Sequence, residues 1–281
     1  AQVELSRLSL ASGNRTEALR QAEAAKLSEP SNLDAKVALA RSLIAAGNLA
    51  RADAEIADLL KAAPDSPVVA SLQGTLLASR NNATAARAAF ERALQASPGF
   101  LEALGGLTYL DLQAKNPAAA LARLDADLKR QPGRPQVLAL VARAALVAGD
   151  AARTEQALRE AIAADPRFTP AYTMLAQLYL KQGKIDQARA EYEGISQRNP
   201  SDIASRTMVG WLLEAQGKQD EAMKAYAAAV NAGGNAPVAA NNLAFMYAQR
   251  GTNLDEALQL ATKAKQRMPD DANVDDTLGW T

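Results

Sequence analysis

Residues 169–200 read TPAYTMLAQLYLKQGKIDQARAEYEGISQRNP, and this segment predicts two short helices. Apolar side chains recur at the spacing of one helical face in both halves: Tyr172, Leu175, Leu178 and Tyr179, then Ile185, Ala188, Tyr192 and Ile195. Gly183 is expected to end the first helix, because glycine readily adopts the left-handed conformation after a helix end. Asn199 and Pro200 are expected to end the second, because proline disfavours helical geometry in the residue before it.

The prolines and glycines of the chain repeat with a fixed period. Successive members of one proline series lie 34 positions apart: Pro30, Pro64, Pro98, Pro132, Pro166 and Pro200. A glycine series keeps the same period, with Asn81 and Lys115 at its two skipped positions: Gly13, Gly47, Gly149, Gly183, Gly217 and Gly251. A fixed period of this length indicates an array of structural repeats, and the recurring proline excludes a continuous coiled coil.

Other prolines support the same register. Pro67, Pro135 and Pro237 are expected at the start of first helices, where the missing N–H costs little. Pro117 is expected in the turn between the two helices of its repeat. No proline then falls in a predicted helix interior, so the local signals and the long-range period agree.

This pattern resembles the tetratricopeptide repeat (TPR) family, whose 34-residue unit carries aromatic, leucine, small and proline residues at set positions. In residues 169–202 those places are held by Tyr172, Leu175, Ala176, Tyr179, Ala188, Tyr192, Ile195 and Pro200. The resemblance implies an all-α fold, a right-handed α-solenoid superhelix of helix-turn-helix repeats. It divides a single array, 1–281, into repeats 1–32, 33–66, 67–100, 101–134, 135–168, 169–202, 203–236 and 237–271, with a partial repeat at 272–281. Because a helix is cut at either end, we expect the sequence to be a piece of a longer protein.

The fourth repeat departs from the family pattern. Gly105 and Gly106 lie inside its predicted first helix, where each costs about 1 kcal/mol relative to alanine. Asp111 stands in a usual aromatic place, and Asp127 in a usual alanine place. We expect a locally looser repeat here, arising either from drift without consequence or from a functional bend or partner contact.

The composition excludes the enzyme classes that depend on cysteine or histidine. The 281 residues contain no Cys and no His, so thiol or imidazole catalysis and Cys or His metal sites are excluded. Two Gly-Lys pairs lie in inter-helix turns without the glycine spacing of a phosphate loop. Asp125 and Asp127 do not face each other on a helix. We therefore expect no enzymatic activity, no catalytic residues and no cofactor.

An acidic cluster at residues 270–276 has two interpretations. The carboxylates of Asp270, Asp271, Asp275 and Asp276 surround a predicted helix start, where negative charge is favoured by the helix dipole. A weak divalent-cation site is the alternative, although the cluster lacks the spacing of a calcium-binding loop. We prefer the helix-dipole interpretation and expect no metal site.

The resemblance implies a ligand-binding groove on the concave face, lined by first helices. Position 9 of successive repeats is held by Arg41, Thr75, Tyr109, Arg143, Gln177, Trp211, Phe245 and Trp280. The candidate partner-binding residues are Arg41, Tyr109, Leu112, Arg143, Leu146, Gln177, Leu180, Trp211, Asn241, Phe245 and Trp280. Their aromatic members either pack against the neighbouring first helix or form a platform for a partner helix or extended peptide. One subtype of the family binds the C-terminal tails of chaperones through lysine and asparagine side chains. Position 5 of the repeats holds no lysine here, so a chaperone tail is not the expected ligand.

Three classes of function remain open: a protein-binding scaffold, an array that self-associates through uncapped ends, and a groove that contacts carbohydrate polymer. The phrases at 241–244 and 276–280 resemble those of bacterial TPR proteins of exopolysaccharide and PEP-CTERM export systems. The net charge is zero, with 31 basic and 31 acidic side chains, so no nucleic-acid partner is expected. The sequence has no apolar run long enough to predict a membrane-spanning helix. It does not decide between the bacterial periplasm and the cytoplasm as the compartment.

Overall fold

The computed structural model describes residues 1–233 and 236–281, which form two compact units, Ala1–Thr154 and Glu155–Thr281. The described residues contain seventeen α-helices and no strand. Unit 1 holds α1 (Gln2–Ala11), α2 (Arg15–Ser28), α3 (Leu33–Ala45), α4 (Leu49–Ala62), α5 (Pro67–Ser79), α6 (Ala83–Ala96), α7 (Leu101–Gln113), α8 (Pro117–Arg130) and α9 (Pro135–Val147). The unit boundary falls within α10 (Ala151–Ala164).

Unit 2 holds α11 (Thr169–Lys181), α12 (Ile185–Arg198), α13 (Ile203–Ala215), α14 (Gln219–Asn231), α15 (Pro237–Arg250), α16 (Leu254–Arg267) and α17 (Ala272–Trp280). Within each unit, the first helix of a repeat packs on its second helix, and the second packs on the first helix of the next repeat. This consecutive packing of helix pairs confirms the all-α solenoid class expected from the sequence.

The turns between paired helices depend on a left-handed residue at the repeating glycine position. Gly183 follows α11 with φ of +71°, as predicted for a helix end. Asn81 and Lys115, which replace glycine in the series, adopt the same conformation with φ of +59° and +56°. The geometry of the turn is therefore kept where glycine is absent, and Lys115 carries the backbone strain that glycine avoids.

The residue after this left-handed residue is the N-cap of the second helix. Side-chain oxygens of Asn14, Asn48, Asn82 and Asn116 each accept a backbone N–H in the first turn of α2, α4, α6 and α8. Lys184 and Lys218 occupy the equivalent places in unit 2 without a side-chain cap. The Gly-Lys pairs are therefore parts of the repeat turns.

Four prolines outside the 34-residue series were assigned to helix starts or to a turn, and three of them lie where expected. Pro67, Pro135 and Pro237 are the first residues of α5, α9 and α15. The prediction for Pro117 was wrong, because this residue begins α8 instead of lying in the turn before it. Its missing N–H is tolerated at that first helical position for the same reason.

Gly106 has a packing role that the sequence did not suggest. The ring of Phe90 on α6 is 3% exposed and lies against the backbone of Gly74 on α5 and of Gly106 on α7. A Cβ on Gly106 would lie 2.3 Å from Phe90 Cζ, well inside contact distance. Gly105 has no heavy atom within 4 Å of the equivalent position, so only one of the two glycines is required by packing.

The two unusual aspartates of the fourth repeat are buried and paired with arginines. Asp111 accepts from Arg87 at 2.5 Å and from Arg123 at 2.6 Å. Asp127 accepts from Arg134 at 2.7 Å, and the same guanidinium donates to the carbonyl of Gly99 at 2.8 Å. Removing one partner of such a buried pair is costly, because it leaves the other charge uncompensated.

A looser fourth repeat stays a prediction, and these contacts argue against it. Ion pairs fill the two places where Asp111 and Asp127 interrupt the family pattern. Hydrogen exchange faster in residues 101–134 than in the neighbouring repeats would support the looser repeat, and uniform exchange would remove it.

Candidate functional site

The large side chains at position 9 of the first helices reach solvent in both units. Tyr109 in unit 1 is 54% exposed, and Trp211, Phe245 and Trp280 in unit 2 are 48%, 36% and 70% exposed. Buried aromatics such as Tyr179 and Tyr226 occupy other positions of the repeat and fill the core. The position-9 aromatics are thus incompletely covered by neighbouring helices, whereas a purely structural role would bury them more fully.

In unit 2, α13, α15, α17 and the segment before α17 line an open cavity of about 380 Å³, called here the C-terminal cavity. It brings together three of the predicted partner-binding residues, Trp211, Asn241 and Phe245. The remaining lining residues are Glu214, Val238, Asn242, Met268, Asp271, Asn273, Val274, Asp276 and Thr277. Trp280 lies on α17 but is not among the residues lining this cavity.

Asn241 is the most unusual side chain of the C-terminal cavity. It is 8% exposed, and its Oδ1 has no hydrogen-bond donor in the described structure. Leaving a buried acceptor without a donor costs about 1–3 kcal/mol, so native structures rarely do so without a reason. Phe245 lies four residues further along α15 and therefore on the same face of the helix.

The polar groups around Asn241 are mostly acidic. Three carboxylates line the cavity, those of Glu214, Asp271 and Asp276, and no lysine or arginine is among the described lining residues. Glu214 accepts a hydrogen bond from the hydroxyl of Tyr226 at 2.9 Å. Burial, with this hydrogen bond as the second cause, raises the pKa of the Tyr226 hydroxyl.

Asp271 also has a structural task. As the N-cap of α17, it accepts from the backbone N–H of Asn273 at 3.0 Å. This contact agrees with the helix-start interpretation of the acidic cluster. Asp275 forms an ion pair with Lys265 outside the cavity. The described residues hold no group of three or more acidic, His or Cys side chains arranged for a metal ion.

In unit 1, a second cavity of about 470 Å³ contains only one predicted partner-binding residue, Arg41. Its guanidinium donates to Glu102 on α7 at 2.6 Å, across the intervening repeat. The side chains of Arg41 and Glu102 are 37% and 41% exposed, so water screens this pair strongly. A partner would have to compete with Glu102 for Arg41.

The other predicted residues are placed differently. Tyr109, Arg143 and Leu146 in unit 1 and Gln177 in unit 2 are exposed, while Leu112 and Leu180 are half-buried. None of these six lines the two cavities described above. Their assignment as partner contacts stays a prediction.

Asp125 and Asp127 pair with different arginines. The carboxylate of Asp125 accepts from Arg153 at 2.5 Å, and that of Asp127 accepts from Arg134 at 2.7 Å. Each carboxylate therefore has its own arginine partner, which accounts for both as structural groups.

Glu214 and Glu102 were missed by the sequence reasoning. Each lies on a first helix, at the twelfth place of the seventh repeat and the second place of the fourth. Asp276 was assigned to the start of α17, and only the packing of α17 beside α15 places it at the cavity.

Comparisons with known proteins agree with this architecture. A family model described as tetratricopeptide repeat matches residues 9–76, 77–144 and 145–212, which together are more than half of the 281 residues. Each matched segment is 68 residues long, two of the 34-residue periods. No curated protein matches the chain.

Three solved structures are similar to the chain. The Cut9–Hcn1 hetero-tetramer of the APC/C is 14% identical, with a TM-score of 0.54 over 98% of this chain and 54% of that one. This chain therefore spans about half the length of that relative. A tetratricopeptide repeat protein from Parabacteroides merdae is 21% identical, with a TM-score of 0.51 over 86% of this chain and 96% of its own. PilF of Pseudomonas aeruginosa is 14% identical, with a TM-score of 0.51 over 89% and 97%. These likenesses show the fold.

None of the described helices is both long enough and apolar enough to span a bilayer.

Proposed function

Because the chain belongs to the tetratricopeptide repeat family, whose members generally mediate protein–protein interactions, we propose that it is a non-catalytic scaffold that binds a segment of a partner protein. The partner is a helix or an extended peptide held against the first helices of the repeats. Repeats of this kind offer an extended surface in place of an enclosed active site.

One observation carries the proposal: Trp211 and Phe245 come from successive first helices and line the same cavity while remaining 48% and 36% exposed. Exposed aromatics at a concave site are typical anchors for binding, since they bury much area with few rotatable bonds. Asn241 and Asn242 add amide groups between them, which can pair with the main chain of a bound segment.

The test is a selection of random 12-residue peptides displayed on phage, followed by fluorescence polarisation with the enriched peptides. We expect Trp211→Ala and Phe245→Ala each to weaken binding by about tenfold or more, as for hot-spot residues. Leu258→Ala is the matched control, because Leu258 is a 47% exposed residue of unit 2 on second helix α16 that does not line the cavity. Circular dichroism checks that each variant is folded.

Two results would contradict the proposal. One is a selection that enriches no peptide for the protein over a blank surface. The other is enriched peptides whose affinity is the same for Trp211→Ala, Phe245→Ala and Leu258→Ala.

A second candidate, contact with carbohydrate polymer in an export system, is favoured by the same exposed aromatics, which suit stacking on sugar rings. The resemblance of residues 241–244 and 276–280 to export-related proteins supports it. A glycan array separates the candidates: a polymer-binding groove retains glycans through Trp211 and Phe245 and enriches no peptide.

Self-association is separated by a different measurement. If the chain forms arrays, its mass measured by light scattering rises with protein concentration, and peptide binding does not depend on Trp211.

A further inference from the structure

We propose that the C-terminal cavity is a pocket for a basic side chain, arginine above all, of the partner segment. The inference rests on the proposed function, because it names the chemistry by which the same site recognises its partner. Three features of the cavity support it: charge, an acceptor without a donor, and the aromatic walls.

The charge of the lining is one-sided. Glu214, Asp271 and Asp276 contribute three carboxylates, and the described lining residues include no lysine or arginine to neutralise them. Other carboxylates of unit 2 do have a cationic partner, as Asp220 has Arg250 and Asp275 has Lys265, whereas no ion pair joins the three carboxylates of the cavity to a described residue. A cation entering the cavity would find acidic groups on both α13 and α17.

One hydrogen-bond acceptor of the cavity has no donor in the described structure. Asn241 Oδ1 is buried without a donor, and Asn241 is one of the residues that line the cavity. Ionised carboxylates only accept hydrogen bonds. A guanidinium brings five N–H donors and no acceptor, so it can donate to carboxylates and to an amide oxygen at the same time.

The walls suit the remainder of such a side chain. Trp211 and Phe245 offer ring faces, over which a guanidinium or ammonium group is attracted by the negative face of the ring. Val238, Met268 and Val274 provide apolar surface for the methylene stem. Arginine is favoured over lysine, because its planar group can stack on a ring and bond to a carboxylate at once.

The chain contains an internal control for measuring occupancy. Trp211 lines the cavity, whereas Trp280, the other tryptophan of the sequence, does not. The indole N–H signals of the two residues can be followed separately by two-dimensional ¹H–¹⁵N NMR and assigned with a Trp280→Phe variant. Binding in the cavity is expected to shift the Trp211 signal and leave that of Trp280 in place.

The probes are N-acetyl-arginine N-methylamide and its citrulline counterpart, which keeps the shape of the side chain without the charge. We expect the arginine probe to shift the Trp211 signal saturably and the citrulline probe to bind at least tenfold more weakly. Raising the salt concentration should weaken the arginine probe only. Glu214→Gln with Asp276→Asn should weaken it about tenfold, and both changes keep a side-chain oxygen that accepts hydrogen bonds.

The outcomes separate this inference from the scaffold proposal. Equal binding of both probes, or no shift of Trp211 by arginine, overturns the basic pocket. The scaffold survives that result if selected peptides still bind through Trp211 and Phe245 without enrichment in arginine or lysine. If neither peptides nor probes engage Trp211, both proposals fail.

Discussion

Gly105 and Gly106 are adjacent in α7, yet replacing each by alanine should have opposite effects on stability. Alanine in a helix is favoured over glycine by about 1 kcal/mol, and this gain applies to both positions. At Gly105 no heavy atom lies within 4 Å of the new Cβ, so Gly105→Ala should stabilise the protein by about that amount.

At Gly106 the packing term reverses the sign. The new Cβ would lie 2.3 Å from Phe90 Cζ and 2.5 Å from Phe90 Cε1. The ring cannot retreat freely, because it also lies against Gly74, where a Cβ would be only 2.7 Å away. Overpacking of this kind costs about 1–3 kcal/mol, and we take the upper end. Subtracting the gain of about 1 kcal/mol in helix propensity from this packing cost, we expect Gly106→Ala to destabilise the protein by about 2 kcal/mol.

The assay is urea unfolding followed by far-ultraviolet circular dichroism, with the midpoint compared at constant slope. The two variants should differ by about 3 kcal/mol in the free energy of unfolding, on either side of the unmodified protein. Phe90→Ala removes the clash, so adding Gly106→Ala to it should be stabilising. Equal midpoints for the two glycine variants, or the same cost of Gly106→Ala with and without Phe90, would refute the packing argument.

Two further predictions concern other parts of the chain. Lys115→Gly should raise the free energy of unfolding by about 1 kcal/mol, because φ at Lys115 is +56°, a left-handed conformation that costs lysine more than glycine. Asn81→Gly, at φ of +59°, should raise it by less, because asparagine tolerates this conformation. Urea unfolding of the two variants tests the difference. Tyr179→Phe should lower the free energy of unfolding by about 1 kcal/mol at neutral pH, because the Tyr179 hydroxyl donates to Glu155 at 2.7 Å and accepts from Arg159 at 2.6 Å. The hydrogen bond from Tyr179 is the main cause that lowers the pKa of the Glu155 carboxyl in the folded protein. Its contribution to stability is therefore complete above the pKa of the unfolded chain, near 4.5, and is lost as the pH falls through the lower pKa of the folded protein. The stability gap between Tyr179→Phe and the unmodified protein should therefore narrow below pH 4.5, and a gap independent of pH would contradict this reasoning.

The repeat and its two helices could be predicted from the sequence because their signals are local. A helix end at Gly183 or a helix start at Pro67 depends on the conformational preference of one residue and its neighbours. The period then extends each local signal along the chain. Pro117 shows the limit of that accuracy, since a shift of one position separates a turn from the first residue of a helix.

The candidate site was predicted in part. Trp211 and Phe245 were found because they recur at the same repeat position, and the structure places both at the C-terminal cavity. The acidic character of that cavity was missed, because Glu214 and Asp276 lie on α13 and α17 and come together only through packing. The buried acceptor of Asn241 was equally invisible, since it depends on which donors surround it.

The sequence by itself determined the helices, their turns and the repeat. Helix starts and ends depend on the conformational preferences of neighbouring residues, and the repeat depends on a fixed spacing that can be counted along the chain. Only the tertiary structure decided that Gly106 accommodates Phe90, that Asp111 is neutralised by Arg87 and Arg123, and that acids surround Trp211. In each case the deciding contact joins different helices. The free energy of a glycine, a carboxylate or an amide depends on the atoms packed around it, which the order of residues along the chain does not specify.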